Sequence, residues 1–244
     1  MRKNEHLVHF YGQDEQRLDQ NLTAFLRDSL RAGGAAVVVA SPARRDAFQS
    51  ELARNPIKGL TLPSERLVLL DDAETLGTFM RGGQPDAELF DSCVGNLLRD
   101  RKARYGRVRA YGEMVGRLWS DRAFSAAVAL EKLWNELLAS LGFDLYCGYP
   151  IDVTSAEFQT PAMRALFETH TRLVPALPDD FDRAMSRAID EVLGDRPHGL
   201  HALATGALSF SGAALPSIER TILRLRSALP RYADEILARA KQYA

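Results

Sequence analysis

The chain has 244 residues, with 46% hydrophobic and 26% charged positions and a formal net charge of -1. That is the balance of a soluble globular protein, and it provides no global field for nucleic acid or membrane. Two cysteines, Cys93 and Cys147, stand far apart without CxxC or Cys/His spacing, which excludes a disulfide scaffold or a zinc motif of ordinary spacing and points to a reducing compartment.

No apolar run reaches the roughly 20 residues of a membrane helix, and the first residues, MRKNEHLVHFYG, lack the apolar segment of a secretory signal. A cytoplasmic protein without membrane contact is expected.

The first strand is Leu7 to Tyr11, ended by Gly12, with Asp14 placed to cap the next helix. Leu18, Leu22, Phe25, Leu26 and Leu30 give that helix an apolar face. After Gly33-Gly34, AAVVVA (35–40) reads as a strand covered on both faces. Ser41-Pro42 opens a second helix as cap and first position. LVLL (67–70) is a third strand, followed by helices over Ala73–Met80 and Ala87–Ala103. Val108–Tyr111 is a fourth strand, broken at Gly112-Glu113. A strongly apolar helical stretch then leads into a fifth strand, Leu145–Tyr149. Strands alternating with helices predict a three-layer α/β fold. It has a mostly parallel sheet of five or more strands, helices on both faces, and additional C-terminal helices.

Beyond Pro150 the character changes. Residues 151–160 read as a loop and Met163–Val174 as a helix containing His170. A further amphipathic helix follows on Phe181, Met185, Ile189, Val192 and Leu193, and 194–212 as a loop of weak helical character. Ser217 is placed to cap a helix whose Ile218, Ile222, Leu225 and Leu229 make a short heptad seam. The seam packs back on the domain or joins a partner. The division expected is a 1–180 α/β domain and a 181–244 helical output region.

Nucleotide chemistry fails on residues. The loop after the first strand is Tyr11-Gly12-Gln13-Asp14-Glu15, that after the second is Ser41-Pro42-Ala43-Arg44-Arg45, and neither GxxxxGK[ST] nor GxGxxG occurs. Ser209-Phe210-Ser211-Gly212 is not a nucleophile elbow. Cys147 would need a histidine beside it, His9 or His170, to act as a thiolate, and reads first as a small buried strand residue. For a metal or acid–base site the candidates are His6, His9, Glu113, Glu131 and His170, but His6 and His9 do not share a strand face and no pair has helical ligand spacing. No metal and no cofactor is therefore expected. Glu113 follows a strand and a glycine, as a ligand-facing carboxylate or as one that favours the amide end of the following helix. Glu131 reads on base rates as a solvated charge, with a polar fixture at an aromatic-lined core or pocket as the alternative. Trp119, Trp134, Phe124 and Tyr111 read as core, with an aromatic-lined pocket as the alternative.

Taken together, HLVHFYGQDEQRLDQNLTAFLRDSLRAGGAAVVVAS, VRAYGEMVGRLW, ALEKLWNELL, YCGYP and ETHTRLVP resemble the MEDS domain, the sensory domain of methanogens, methylotrophs and the DcmR repressor, over about residues 6–180. The resemblance implies a RecA/KaiC-like core without a phosphate loop, and signal input from small, hydrocarbon-derived molecules rather than catalysis. The positions it suggests could face a ligand are His9, Tyr11, Glu113, Trp119, Glu131, Trp134, Asn135, Tyr149 and His170. Many relatives carry a kinase, PAS or DNA-binding module for which this chain has no room. Output would therefore pass through the C-terminal helices or through a regulatory partner such as a kinase or transcription regulator. The expectation is a non-enzymatic sensor that binds a small molecule and forms a homodimer. The alternatives are an enzyme using Glu113 with His9 or His170, and a pure interaction module joined through the Ile218–Leu229 seam. Arg220, Arg224, Arg226 and Arg231 form a basic stripe read as a solvated helix face, so direct nucleic-acid binding is not expected.

Overall fold

In a computed structural model that describes residues 4–61, 64–194, 198–205 and 212–244, the chain builds one parallel sheet wrapped by helices. The opening half runs β1 (His6–Phe10), α1 (Glu15–Arg31), β2 (Ala35–Ala40), α2 (Pro42–Arg54), β3 (Leu67–Asp71) and α3 (Asp72–Phe79). A small antiparallel hairpin of β4 (Met80–Arg81) and β5 (Gln84–Pro85) follows. Next come α4 (Ala87–Phe90), a π-helical turn (Asp91–Gly95) and α5 (Asn96–Tyr105), where a single helix was expected. The second half has β6 (Val108–Gly112), α6 (Met114–Ser120), α7 (Phe124–Leu141), β7 (Asp144–Tyr149), α8 (Pro161–Thr169) and β8 (Arg172–Leu173). The chain ends in α9 (Phe181–Leu193), α10 (His198–Thr205), α11 (Ser217–Ala228) and α12 (Pro230–Tyr243).

The six strands of the main sheet lie in the order β3-β2-β6-β7-β1-β8, all parallel. Alternation along each strand sorts side chains into two cores. Leu7, Ala36, Val38, Tyr111 and Tyr146 face α1 and α2 and pack with Leu18, Leu22, Leu26 and Phe48. Val8, Phe10, Val37, Val39, Ala110, Cys147 and Tyr149 face the other way, toward Leu130, Trp134 and Phe167. β2 is buried at every position, as AAVVVA demands of a strand covered on both faces.

Three local expectations are corrected. The helix through His170 stops at Thr169. His170 is extended, at φ -113 and ψ 157, and the chain then enters β8 beside β1. The backbone amide of Thr171 donates to the His6 carbonyl at 2.8 Å, so edge pairing with β1 takes the place of the last helical turn. Ser217 is the first helical residue and makes no cap bond, Pro216 standing before it. Within 194–212 a helix, α10, forms over 198–205. Residues 195–197 and 206–211, including Ser209, Phe210 and Ser211, lie outside the described residues.

The second core continues without a break into the C-terminal helices, taking in Met185, Ile189, Ile222, Leu225, Ile236 and Leu237. The heptad seam packs back: Ile218, Ile222, Leu225 and Leu229 are all buried within the chain. In the basic stripe Arg226 is buried, against the expected solvated face. It pairs with Asp234 at 2.9 Å and donates to the Thr154 carbonyl.

Candidate functional site

The candidate ligand residues separate into two groups, because β1 presents His6 and His9 to opposite faces of the sheet.

The first group lies at the carboxyl edge, on the α1–α2 side. Here Ser41 and Glu113 directly follow strands β2 and β6, and Tyr11 and Pro150 directly follow β1 and β7. Tyr11, Glu15, Asp19, Ser41, Arg44 and Glu113 line part of a cleft of about 360 Å³, and Asp72, Gly116, Arg117 and Pro150 line more of it. The Glu113 carboxylate is the hub. It accepts from the Ser41 amide at 2.9 Å, from Arg44 Nε at 2.7 Å and from the Tyr111 hydroxyl at 2.9 Å. It makes no cap bond to the helix that follows it, α6. Its carboxylate instead meets the start of the neighbouring α2, where the helix amides favour negative charge. Arg44 also donates to Asp19 at 2.5 Å and lies 5.6 Å from the Tyr11 ring centre. Burial and then the Glu113 charge push Tyr11 up to about 12, so its hydroxyl stays a donor. Across the cleft Arg117 holds Asp72 in a two-bond fork, 2.8 and 3.0 Å.

Beneath this cleft His9 Nδ1 and the Tyr146 hydroxyl share a hydrogen bond of 2.8 Å, and the buried His9 Nε2 has no hydrogen-bond partner among the described residues. Burial, reinforced by the Arg17 charge, holds His9 down at about 4, so it is neutral.

The second group lies on the opposite face. Glu131, read from sequence as a solvated charge, is completely buried. On α7 its position faces the sheet, and apolar neighbours along the helix do not reveal that. Its Oε2 lies 3.2 Å from His6 Nε2, its Oε1 lies 3.3 Å from His170 Nε2, and Tyr149 donates to Oε1 at 2.6 Å. Cys147 Sγ is 3.4 Å from His6 Nε2 and 3.6 Å from Glu131 Oε2. Asn135, one helical turn after Glu131, accepts from His6 Nδ1 at 2.9 Å and donates to the Thr169 carbonyl at 2.7 Å. Burial pushes the Cys147 thiol and the Tyr149 hydroxyl well up, and the Glu131 charge adds to it. Burial, then the charge of His6, pushes His170 down.

Trp134 and Trp119 belong to neither set of hydrogen bonds. Trp134 is core, edge-on to Phe90 at 5.1 Å. Trp119 packs edge-on to Tyr149 at 5.8 Å and donates to Glu157. Glu113 and His170 are on opposite faces of the sheet and are not brought together, whereas His9 lies on the Glu113 face. Sequence reasoning missed Asp19, Arg44, Asp72 and Arg117 in the cleft. The available signal was a pair of arginines in the first turn of α2, where a helix start ordinarily prefers acids.

No curated protein and no solved structure matches the chain. The family described as MEDS, the MEthanogen/methylotroph, DcmR Sensory domain, matches residues 5–171. That span takes in the whole sheet up to the start of β8 and both groups of polar residues, and on it the chain belongs to the MEDS family of sensory domains.

Proposed function

We propose that this protein is a non-enzymatic sensor whose carboxyl-edge cleft binds a small molecule and passes its occupancy to the C-terminal helices. The cleft is charged and hydrogen-bonding rather than apolar, so its ligand is a short hydrocarbon derivative with a polar head, not a bare hydrocarbon. Open α/β sheets hold ligands at this edge.

One observation supports the output route. The segments that wall the cleft, Tyr11-Gly12 and Pro150, run directly into contacts with the last two helices. Gly12 has φ 55, which favours glycine, and packs tightly on the 150–154 segment, with Asp152 Cα at 3.2 Å from the position of a Cβ. Asp152 is paired with Lys241 of α12 at 2.9 Å, and Arg226 of α11 donates to the Thr154 carbonyl. A ligand that moves the 150–154 segment therefore acts on α11 and α12 through bonds already made. A population shift follows if these contacts differ between the free and the occupied state.

Calorimetric titration with short-chain carboxylates, amines and alcohols tests the reading. One-to-one binding of one class, weakened ~10-fold or more (about 1.4 kcal/mol) by Arg44→Lys or Arg117→Gln, agrees with it. No saturable heat across the panel, or binding indifferent to both substitutions, opposes it.

A further inference from the structure

Four side chains from four separate elements converge in the second core: His6 of β1, Glu131 of α7, Cys147 of β7 and His170 after α8. Their donor atoms all lie within 4.8 Å of one another and all four residues are buried. The nature of the four donors and their geometry both need explaining.

The tautomers come first. His6 Nδ1 faces the Asn135 carbonyl oxygen at 2.9 Å and the Thr169 carbonyl at 3.0 Å. His170 Nδ1 faces the Leu166 carbonyl at 2.7 Å. Carbonyl oxygens only accept, so both Nδ1 atoms carry hydrogen. Each ring then turns its Nε2 toward the centre of the cluster. In the neutral ring that atom is a lone pair, and it points at a carboxylate. His170 Nε2 makes no hydrogen bond despite complete burial. The Cys147 thiol can donate to the His6 lone pair at 3.4 Å, but the unpartnered His170 lone pair facing an anion in the buried core is an unfavourable arrangement for the groups alone. It is the arrangement of metal-ligating histidines, whose second ring nitrogen donates to a carbonyl or carboxylate that fixes the ring.

The distances then fit a cation. Zinc bonds of about 2.0–2.3 Å at tetrahedral angles place neighbouring N, O and S donors about 3.3–3.6 Å apart. Three edges close on one another, 3.2 Å for His6–Glu131 Oε2, 3.4 Å for His6–Cys147 and 3.6 Å for Cys147–Glu131 Oε2; His170 Nε2 stands 3.3 Å from the other carboxylate oxygen, Oε1, with its remaining donor distances within 4.8 Å. Two neutral imidazoles, one carboxylate and one thiolate sum to two negative charges, which a divalent cation neutralises. The mixed nitrogen and sulfur donors select a borderline transition metal over magnesium or calcium.

We infer that His6, Glu131, Cys147 and His170 form a closed structural site for a divalent transition metal of the zinc class. Binding forms the metal–sulfur bond and releases the Cys147 thiol proton to solvent. The Tyr149 hydroxyl on Glu131 Oε1 and the Asn135 amide on His6 act as outer partners. All four donors come from the protein, which is the pattern of a structural rather than a catalytic site. The ion would tie the first strand and the α8–β8 junction to the centre of the sheet. The inference is independent of what the cleft binds.

The test is titration of chelator-washed full-length protein with Co²⁺ alone, followed by Zn²⁺. The expected result is one equivalent of Co²⁺ bound, with the visible bands of a tetrahedral site and a near-ultraviolet thiolate-to-cobalt band, both removed by one equivalent of Zn²⁺. Cys147→Ser should lose the thiolate band and Cys93→Ser should keep it, so the assignment survives even if the first variant folds poorly. Asn135→Ala should weaken Co²⁺ about 10- to 100-fold, as loss of an outer partner does. Folded wild-type protein that takes up no stoichiometric Co²⁺ would leave the cluster as a hydrogen-bonded ion-pair network and overturn the assignment. A thiolate band that persists in Cys147→Ser, or vanishes in Cys93→Ser, would overturn it as well.

Discussion

At Glu131 a single carboxylate sits with no exposure between two imidazoles, a thiol and a tyrosine hydroxyl. Such a group is costly to bury and costly to disturb once buried. Glu131→Gln leaves its partners facing a neutral amide, and urea denaturation should record a loss of about 3–5 kcal/mol. A loss within the noise of a surface substitution would contradict the burial described. His9 makes a different prediction. Its folded value of about 4 lies below the ordinary 6.5 because it is buried, with Arg17 and Arg44 opposing a proton and Asp14 favouring one. Between those values the unfolded chain binds the extra proton. The contribution of His9 is therefore complete above about pH 6.5 and is lost as pH falls toward 4, by roughly 3 kcal/mol in all. His9→Gln, which retains a hydrogen-bonding partner for Tyr146, should show a shallower fall of stability over that window. Parallel curves for wild type and variant would remove His9 from the acid sensitivity. These residues also mark what sequence shows least well. His6 and His170 are 164 positions apart, yet the sheet places them in one cluster, and no local spacing announces that. The alternation of β1 does show that His6 and His9 part company, and the structure uses both faces.

Elements were more legible, for a physical reason. Ala35–Ala40 can be buried on both faces only as an inner strand, and Leu18, Leu22, Leu26 and Leu30 recur at the helical period, so β2 and α1 follow from local pattern. β8 does not: its two residues are held by pairing with β1 and by the Ala214 carbonyl, which accepts from Leu173 at 2.9 Å. Long-range pairing overrode the helical pattern there. α6 shows how closely an element is fitted to the site. A Cβ on Gly116 would come within 2.4 Å of the Gly148 carbonyl oxygen, so the helix that bears Arg117 packs directly on the β7 backbone. Gly116→Ala must push α6 away from the sheet. It should cost about 1–3 kcal/mol and weaken any cleft ligand along with it. Unchanged melting temperature in Gly116→Ala would mean that α6 is not so constrained.

On the scale of the whole molecule, the sensory-family match ends at residue 171, while the core runs on to Ala240. The C-terminal helices are therefore packed against the family domain rather than trailing from it. Removing 217–244 would uncover the surface that Ile222, Leu225, Ile236 and Leu237 now bury, and the shortened chain should lose its cooperative calorimetric transition. The same packing supports the proposed output route, because Lys241 and Arg226 hold the segment that leaves the cleft. The most direct test of that coupling is hydrogen–deuterium exchange of the full-length protein, with and without whichever carboxylate, amine or alcohol gives saturable heat. Altered exchange is expected at residues 11–14 and 150–155 and, beyond them, in α11 and α12, with the change in α12 lost in Lys241→Ala. Saturable binding that leaves α11 and α12 unchanged would contradict that coupling.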